Sequence, residues 1–560
     1  MNFNTPSFAL FMLCVGVFYV VAQCLKLPRF QKVVLLAASY YFYGSWDPQF
    51  LTLILISTAI DFCCGLGIDD QQPTRNQHVG LFVALTVFSG LLTAPINWSS
   101  IVTGYLPLSA FDGGWGVEPG TTGVSAGSLI SGSWRNCAAC LSAAAAILST
   151  TAFGFTLTGA TRRRFFLWFS LVSNLALLGF FKYCDFFVES FGTLTGCDTS
   201  GSVLGIIVPV GISFYTFQTL SYTIDIYRGE MKPTRNLLDF ALFVSFFPQL
   251  VAGPIERASV LLPQLAERRK LDWQGIQVGS WLVGWGLFKK IFIADNLARF
   301  VNEAYAPGVN PEGPLVLFAT YAFAFQIYCD FSGYTDIARG ISRMMGVELM
   351  VNFNIPYAAT NPQSFWRRWH ISLSTWLRDY LYVSLGGNRG TGAFIYRNLM
   401  LTMFLGGLWH GARSNFVWWG LYQGALLCGH RLLEPTLQRI SPRGGFGKSA
   451  TRFFCWASFM HLMCYGWLLF RVDSSEQLVQ MTTALSHGWE SWTQHAGLLA
   501  RILWFAWPLM IVQFFQYRSR NLLVVLTWPW AIRWACYVGM FYLTVIFGAF
   551  DVVEFIYFQF

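Results

Sequence analysis

Charge is scarce in this chain. Asp, Glu, Lys and Arg make up 12% of its 560 residues, against 54% hydrophobic residues, whereas a soluble domain ordinarily carries about 25% charge. That shortage excludes an ordinary water-soluble body. The apolar–polar alternation of lipid-facing barrel strands is missing too, and open sheet edges do not persist in hydrocarbon. What recurs is an apolar run of roughly 17–25 residues, the length that crosses a bilayer as helix. The fold class is therefore all-α: a polytopic membrane protein, a bundle of roughly 12–15 transmembrane or re-entrant helices around a central passage. No repeat period and no soluble domain are evident, so residues 1–560 read as a single membrane domain.

Other absences narrow the reading further. The net charge of +9 does not come from a basic patch. Lys and Arg stand between apolar runs, as orientation by cytoplasmic cations requires, and nucleic acid is not an expected partner. Of thirteen cysteines, most, such as Cys63, Cys64 and Cys329, lie inside apolar runs as small hydrophobes. Cys137 and Cys140 form a lone CxxC without a second pair or a nearby histidine, so no metal site is expected. The first run, MNFNTPSFALFMLCVGVFYVVAQCL, lacks the basic residues that precede a cleaved signal. It reads as a retained span, with Lys26, Arg29 and Lys32 on the cytosolic side behind it and an extracytoplasmic N-terminus.

A walk along the chain keeps that orientation. Runs at 33–45 and 50–67 lead back to Arg75, and the run at 79–96 leads to residues 97–134, which hold no Lys or Arg. The run at 137–160 ends at Arg162, Arg163 and Arg164. The stretch VESFGTLTGCDTSGS (188–202) again lacks basic residues, and the next run ends at Arg228, Lys232 and Arg235. The alternation then breaks. DFALFVSFFPQLVAGP (239–254) lies between two basic stretches, and Pro248, Gly253 and Pro254 interrupt it. A re-entrant segment satisfies both facts, provided protein or water buries its freed backbone. Further spans are expected near 279–296, 314–331, 397–433 (broken), 452–471, 501–518 and 529–549.

Against this apolar background, FWRRWHISLSTWLRDY (365–380) is conspicuous. Placed on one helix, Trp366, Trp369, Leu373, Trp376, Leu377 and Tyr380 gather on one side. Arg367, His370, Ser374 and Arg378 form a second row, and Arg368, Ser372, Thr375 and Asp379 a third. Charges near the bilayer midplane are costly, so the expectation is an amphipathic helix at an interface or lining a polar cavity.

A second histidine stands in NLMLTMFLGGLWHGARSNFVWWGLYQGALL. The eleven residues Leu399–Trp409 cover only about 16 Å as helix, and Gly406, Gly407 and Gly411 surround the Trp409–His410 pair. Broken helices at membrane depth are where polar sites are built, and an intramembrane ionisable residue is a functional candidate. A neutral imidazole can take a proton from an attacking hydroxyl. Asp330 and Asp336 in DFSGYTD are second-tier helpers at or near a span.

These two histidine segments, FWRRWHISLSTWLRDYLYVSLGGNRG and LGGLWHGARSNFVWWGLYQG, resemble the signature segments of the membrane-bound O-acyltransferases, and within them the alginate O-acetylase branch. VPVGISFYTFQTLSYTIDIYRGE (208–230), FPQLVAGPIER (247–257), FKKIFIADNLA (288–298) and YCDFSGYTDIARG (328–340) agree. Residues 76–160 depart from the family plan and read as an insertion of two spans with a Gly/Ser-rich external loop. GVSAG (123–127) within that loop lacks the strand and helix a nucleophile elbow needs.

The resemblance implies that acetyl leaves cytosolic acetyl-CoA, bound only as a donor substrate, and crosses the membrane toward hydroxyls of an extracellular polysaccharide such as alginate. It implies His410 as the essential histidine and His370 as a second required one; the chemistry of a neutral imidazole then makes His410 the candidate general base, with His370 orienting the acceptor or steadying developing charge beside Arg367 and Ser374. Arg257, Arg268, Arg269, Lys270, Lys289 and Lys290 lie on the inferred cytosolic side and are candidates to attract the phosphates of the donor. An extracytoplasmic esterase-like transferase and a polysaccharide synthesis machinery are the implied partners, in a bacterial cytoplasmic membrane. Two other readings stand beside this one: D-alanyl transfer to a teichoic acid, and a proton-coupled polysaccharide exporter.

Overall fold

The computed structural model describes residues 3–88, 90, 134–199, 202–251, 253–267, 269, 271–440, 445–550 and 555–556. Every regular element among them is helical, and eight helices are long and apolar enough to cross a membrane. The chain is a multi-pass membrane protein. Its helices begin and end where local chemistry says they should. Thr5 accepts the amide of Phe8 ahead of Pro6 at the first turn of Pro6–Cys24, and Gly229, left-handed at φ 77°, closes Ile212–Arg228. Trp530–Phe547 buries none of its side chains, as an apolar helix facing lipid would.

The described chain forms two compact units, Met1–Gly275 with Ser342–Leu349, and Ile276–Ile341 with Met350–Phe560. In the first, Leu51–Ile68 is buried almost throughout. Its Asp61 accepts hydrogen bonds from Ser170 Oγ (2.5 Å) and Asn174 Nδ2 (2.9 Å), which ties the helix to Gly159–Leu178. The loop 97–133, with GVSAG, and the Cys137 side chain lie outside the described residues.

The interrupted stretch at 239–254 resolves into short pieces in this same unit. Leu237–Ser245 is helical, Phe246 leaves the helix at ψ 105°, Phe247–Leu250 makes one turn, and Ala258–Ala266 returns. Nine-residue legs reach only about 14 Å, less than half of the ~30 Å hydrocarbon core. The carbonyl of Phe243, freed by the break, accepts from Gln218 Nε2 (2.6 Å) and Gln249 Nε2 (3.0 Å). The Phe247 amide donates to Ser39 Oγ at 3.1 Å. Protein side chains thus do the work that a re-entrant backbone requires.

In the second unit, Gly286 and Gly333 let two helices touch. A Cβ on Gly286 would meet the Gly333 carbonyl at 2.5 Å. That approach sets Lys289 and Lys290 against Gly313–Met344, whose Asp336 and Asp330 receive them.

The run at 397–433 is broken as expected, and the break falls after the histidine: Gly392–His410 is one helix of 19 residues that continues through Gly406 and Gly407. The chain leaves it at Gly411, extended at φ −167°, before Ser414–Ile440 begins. Gly407 serves packing instead, since a Cβ there would meet the Phe416 carbonyl at 2.3 Å and Gly420 Cα at 2.9 Å.

One expectation is corrected here: the stretch 365–380 is not one helix. Pro362–Trp366 ends, His370 adopts a left-handed backbone (φ 42°, ψ 56°), Ile371–Trp376 restarts, and a π-helical turn spans Leu377–Tyr382. The aromatic side survives, with Trp369, Leu373, Trp376 and Tyr380 buried. The polar rows do not. His370 and Ser372 are buried, while Arg367 and Arg378 are exposed.

Candidate functional site: a buried imidazole pair

His370 sits at the break between two short helices and is fully buried. Its left-handed backbone costs about 1–2 kcal/mol for a residue bearing a Cβ, so the surroundings must hold it there. They do so through Asn352. The Asn352 carbonyl accepts the Ile371 amide at 2.9 Å. Its side-chain Oδ1 accepts the Ser372 amide (3.2 Å) and hydroxyl (2.9 Å) and lies 3.2 Å from His370 Nδ1. Phe331 meets the imidazole edge to face at 4.7 Å, with Phe353 at 6.4 Å. Burial pushes the His370 pKa down, to about 3, so the ring is neutral at working pH.

His410 closes its helix and is also buried, at 5% exposure. Trp419 and Phe470 meet its ring edge to face at 5.0 and 5.4 Å. Trp419 is brought there by the glycine-mediated contact between Gly392–His410 and Ser414–Ile440. Gly411 matters for the same reason, since a Cβ there would strike the Phe416 ring at 2.1 Å.

Trp409 joins the two histidines. Its indole lies 5.9 Å from the His370 ring and 5.1 Å from the His410 ring. Two imidazoles from separate segments are therefore brought against one tryptophan.

The supporting residues divide. Ser374 does not reach the imidazole; its hydroxyl donates to the Trp369 carbonyl at 3.0 Å and stabilises the turn. Arg367 is exposed. Asp330 pairs with Lys290 at 2.8 Å and accepts the Ile556 amide at 2.8 Å. Asp336 pairs with Lys289 at 2.7 Å and Arg339 at 3.4 Å. Both carboxylates are thus committed to ion pairs.

The donor-attracting cations also need correction. Lys289 and Lys290 are 2% and 8% exposed, and Lys290 is held between Asp295 and Asp330 at 2.8 Å each. Buried and neutralised, they are not the solvent-facing cations the spacing implied. Arg269 is buried as well, donating to the Tyr19 hydroxyl at 2.9 Å, whereas Arg257 is half-buried. Arg268 and Lys270 lie outside the described residues. A cavity of about 30 Å³ lies beside the Lys289–Asp336 pair, lined also by Ser332, Arg339, Tyr328 and Phe353. Phe353, which lines that cavity, also has its ring 6.4 Å from the His370 ring. Among the described residues, no group of three or more His, Cys, Asp or Glu is placed to hold a metal ion.

Asn352 and Ser372 were not apparent as site residues from the sequence. Asn352 lies 18 residues before His370, in a loop whose composition gives no sign of the contact.

Fold and site together define a multi-pass helical membrane protein with an internal histidine pair. Residues 233–470, which contain both histidines, match the membrane-bound O-acyltransferase (MBOAT) family. A peptidoglycan O-acetyltransferase of Helicobacter pylori is 30% identical over 507 residues, covering 86% of this chain and 78% of that protein. The chain belongs to the membrane-bound O-acyltransferase family. A protein named as a probable alginate O-acetylase AlgI, from Azotobacter vinelandii, is 44% identical over 323 residues, 57% of this chain and 62% of that relative. A teichoic acid D-alanyltransferase of Bacillus subtilis is 27% identical over 275 residues, 47% of this chain and 68% of that one. The match to the alginate relatives thus spans about three fifths of their length.

Proposed function

We propose that this protein is an O-acetyltransferase of a bacterial cytoplasmic membrane. It moves acetyl from cytosolic acetyl-CoA toward hydroxyls of an extracellular polysaccharide, alginate or a similar polymer. The observation that carries this reading is the contact that His370 and His410 both make with the indole of Trp409. Relatives named for O-acetyl transfer give the chemistry, and the higher identity lies with those named for alginate.

The acceptor hydroxyl oxygen attacks the thioester carbonyl and a C–O bond forms. The C–S bond then breaks as the tetrahedral intermediate collapses. His410 takes the hydroxyl proton as general base and returns it to the leaving thiolate, while His370 positions the acceptor. Enclosure among Trp409, Trp419 and Phe470 keeps water from competing for the thioester. Of the cations considered, Arg257, Arg268 and Lys270 are retained as attractors of the donor phosphates. The acetyl group passes onward through an extracytoplasmic esterase-like partner working beside the polymer synthesis machinery.

The test is a deletion strain carrying the wild-type, His410→Ala or His370→Ala chain. The proposal predicts normal secretion of polymer whose acetyl esters are lost in both variants. Loss of the polymer itself would favour an exporter, and loss of D-alanyl esters from a teichoic acid would favour the other transfer.

A further inference from the structure

The geometry around Asn352 points to a specific tautomer of His370, and we propose that Asn352 is the positioning residue that makes His370 Nε2 a hydrogen-bond acceptor for a second hydroxyl of the incoming acceptor, beside the one that His410 deprotonates. This rests on the transfer reading above for the identity of that hydroxyl, but not for the tautomer.

A backbone amide fixes the direction of the hydrogen bonds. The Ser372 N–H can only donate, and it faces the Asn352 side chain at 3.2 Å. The amide atom it meets must therefore be the oxygen, which removes the usual ambiguity between Asn oxygen and nitrogen. The same Oδ1 lies 3.2 Å from His370 Nδ1. The Ser372 hydroxyl, 3.3 Å from Nδ1, has its proton committed to that same Oδ1, so Nδ1 faces acceptors only and must carry the proton. In a neutral imidazole the lone pair then belongs to Nε2.

Asn352 holds the ring in a second way. Its main-chain carbonyl takes the Ile371 amide, while its side chain takes both polar groups of Ser372. One residue thus stabilises the left-handed turn and the tautomer together. This separates the two roles considered for His370. A nitrogen carrying a lone pair cannot donate to a developing oxyanion, so His370 accepts from a neighbouring hydroxyl of the acceptor and thereby aims the attacking one at His410.

The groups packed on the ring come from three places. Gly313–Met344 brings Phe331 and also bears Asp330 and Asp336, which pair with Lys290 and with Lys289 and Arg339. Gly392–His410 brings Trp409 and ends in His410. The loop before the site brings Phe353 and Asn352. Asn352 is neutral, so replacing it with a carboxylate adds a charge where the native contact has none.

The experiment is ¹⁵N NMR of histidine-labelled full-length protein in nanodiscs, with His370→Gln assigning the signal, for wild type, Asn352→Asp and Asn352→Leu. The expected wild-type signal is a neutral Nδ1–H tautomer that persists from pH 7.5 to 5. Asn352→Asp keeps the tautomer and raises the protonation midpoint by about one to three units. Asn352→Leu loses the single-tautomer signature. In transfer assays with radiolabelled acetyl-CoA, Asn352→Asp retains measurable turnover and moves the acid limb of its pH profile upward, whereas Asn352→Leu loses turnover at normal protein level. An Nε2–H signal in the wild type, or an unmoved midpoint in folded Asn352→Asp, would overturn the proposal. Because the tautomer is read without turnover, a wrong substrate leaves the NMR result standing and is recognised separately.

Discussion

Gly407 and Gly420 face each other so closely that a methyl on Gly420 would come within 3.2 Å of Gly407 Cα, and one on Gly407 within 2.9 Å of Gly420 Cα. This small contact positions the site, because it seats Trp419 over the His410 ring. Small residues at membrane helix crossings allow such approach, and a packed interface resists added volume.

Gly407→Ala is therefore expected to destabilise the protein by about 1–3 kcal/mol. It also displaces His410, so activity falls further than the remaining folded fraction accounts for. Thermal unfolding in detergent, followed with transfer activity per folded molecule, checks both parts. Gly429, with open space around its Cβ position, serves as the control, and Gly429→Ala should behave as wild type.

The Lys290 cluster gives a prediction about stability and not about donor binding. Removing one partner of a buried ion pair costs about 3–5 kcal/mol, because the other charge is left uncompensated. Lys290→Met leaves Asp295 and Asp330 facing each other without their shared cation, and folded protein should fall sharply. Lys290→Met with Asp330→Asn should recover part of that loss. Whatever protein folds should bind acetyl-CoA with unchanged affinity. A weakened donor affinity in folded Lys290→Met would restore the donor-attracting role that its burial argues against.

Acid stability should depend on His370. Its folded pKa is depressed to about 3 by burial, below the ~6.5 of an unfolded histidine. Between those values the unfolded chain binds the proton and the folded chain does not, so stability falls as pH drops from 6.5 toward 3. At pH 5 this amounts to about 2 kcal/mol relative to pH 7.5. In His370→Gln that part of the pH dependence disappears. Melting curves at pH 7.5 and 5.0 would show a smaller difference for the variant than for wild type, and equal differences would contradict the burial argument.

Much of this architecture could be read from residue order because membranes impose simple rules. Runs long enough to cross and poor in charge became helices, as at Pro6–Cys24, Trp492–Ser519 and Trp530–Phe547. Pro248 and Gly253 marked an interrupted segment, and Leu237–Ala266 is indeed made of short legs. The two histidines were singled out by their unlikely surroundings, and Trp409 brings them together. What periodicity could not show was the turn at His370. A left-handed backbone is announced chiefly by glycine, and a single histidine is too weak a signal to mark one; here it depends on hydrogen bonds to Asn352 in a separate loop. The rows that placed Arg367 and Ser374 beside His370 failed because they assumed an unbroken helix. Lys289 and Lys290 were misjudged for a related reason. Charge in sequence carries no sign of its partner, and the carboxylates that neutralise the two lysines lie chiefly on another helix.

The role of Trp409 as the shared contact of both imidazoles can be tested directly. Trp409→Phe keeps an aromatic ring against the imidazoles and should retain a measurable fraction of transfer. Trp409→Ala removes the ring that touches both and should lower activity about 100-fold or more at comparable protein level, as misplaced catalytic groups do. Acetyl ester content of the secreted polymer gives the comparison.

The most direct measurement is the acetyl content of polymer secreted by cells whose only copy of this chain carries His410→Ala, with membrane abundance checked. The account predicts full polymer yield with acetyl esters at background. Normal ester content at normal polymer yield would contradict it.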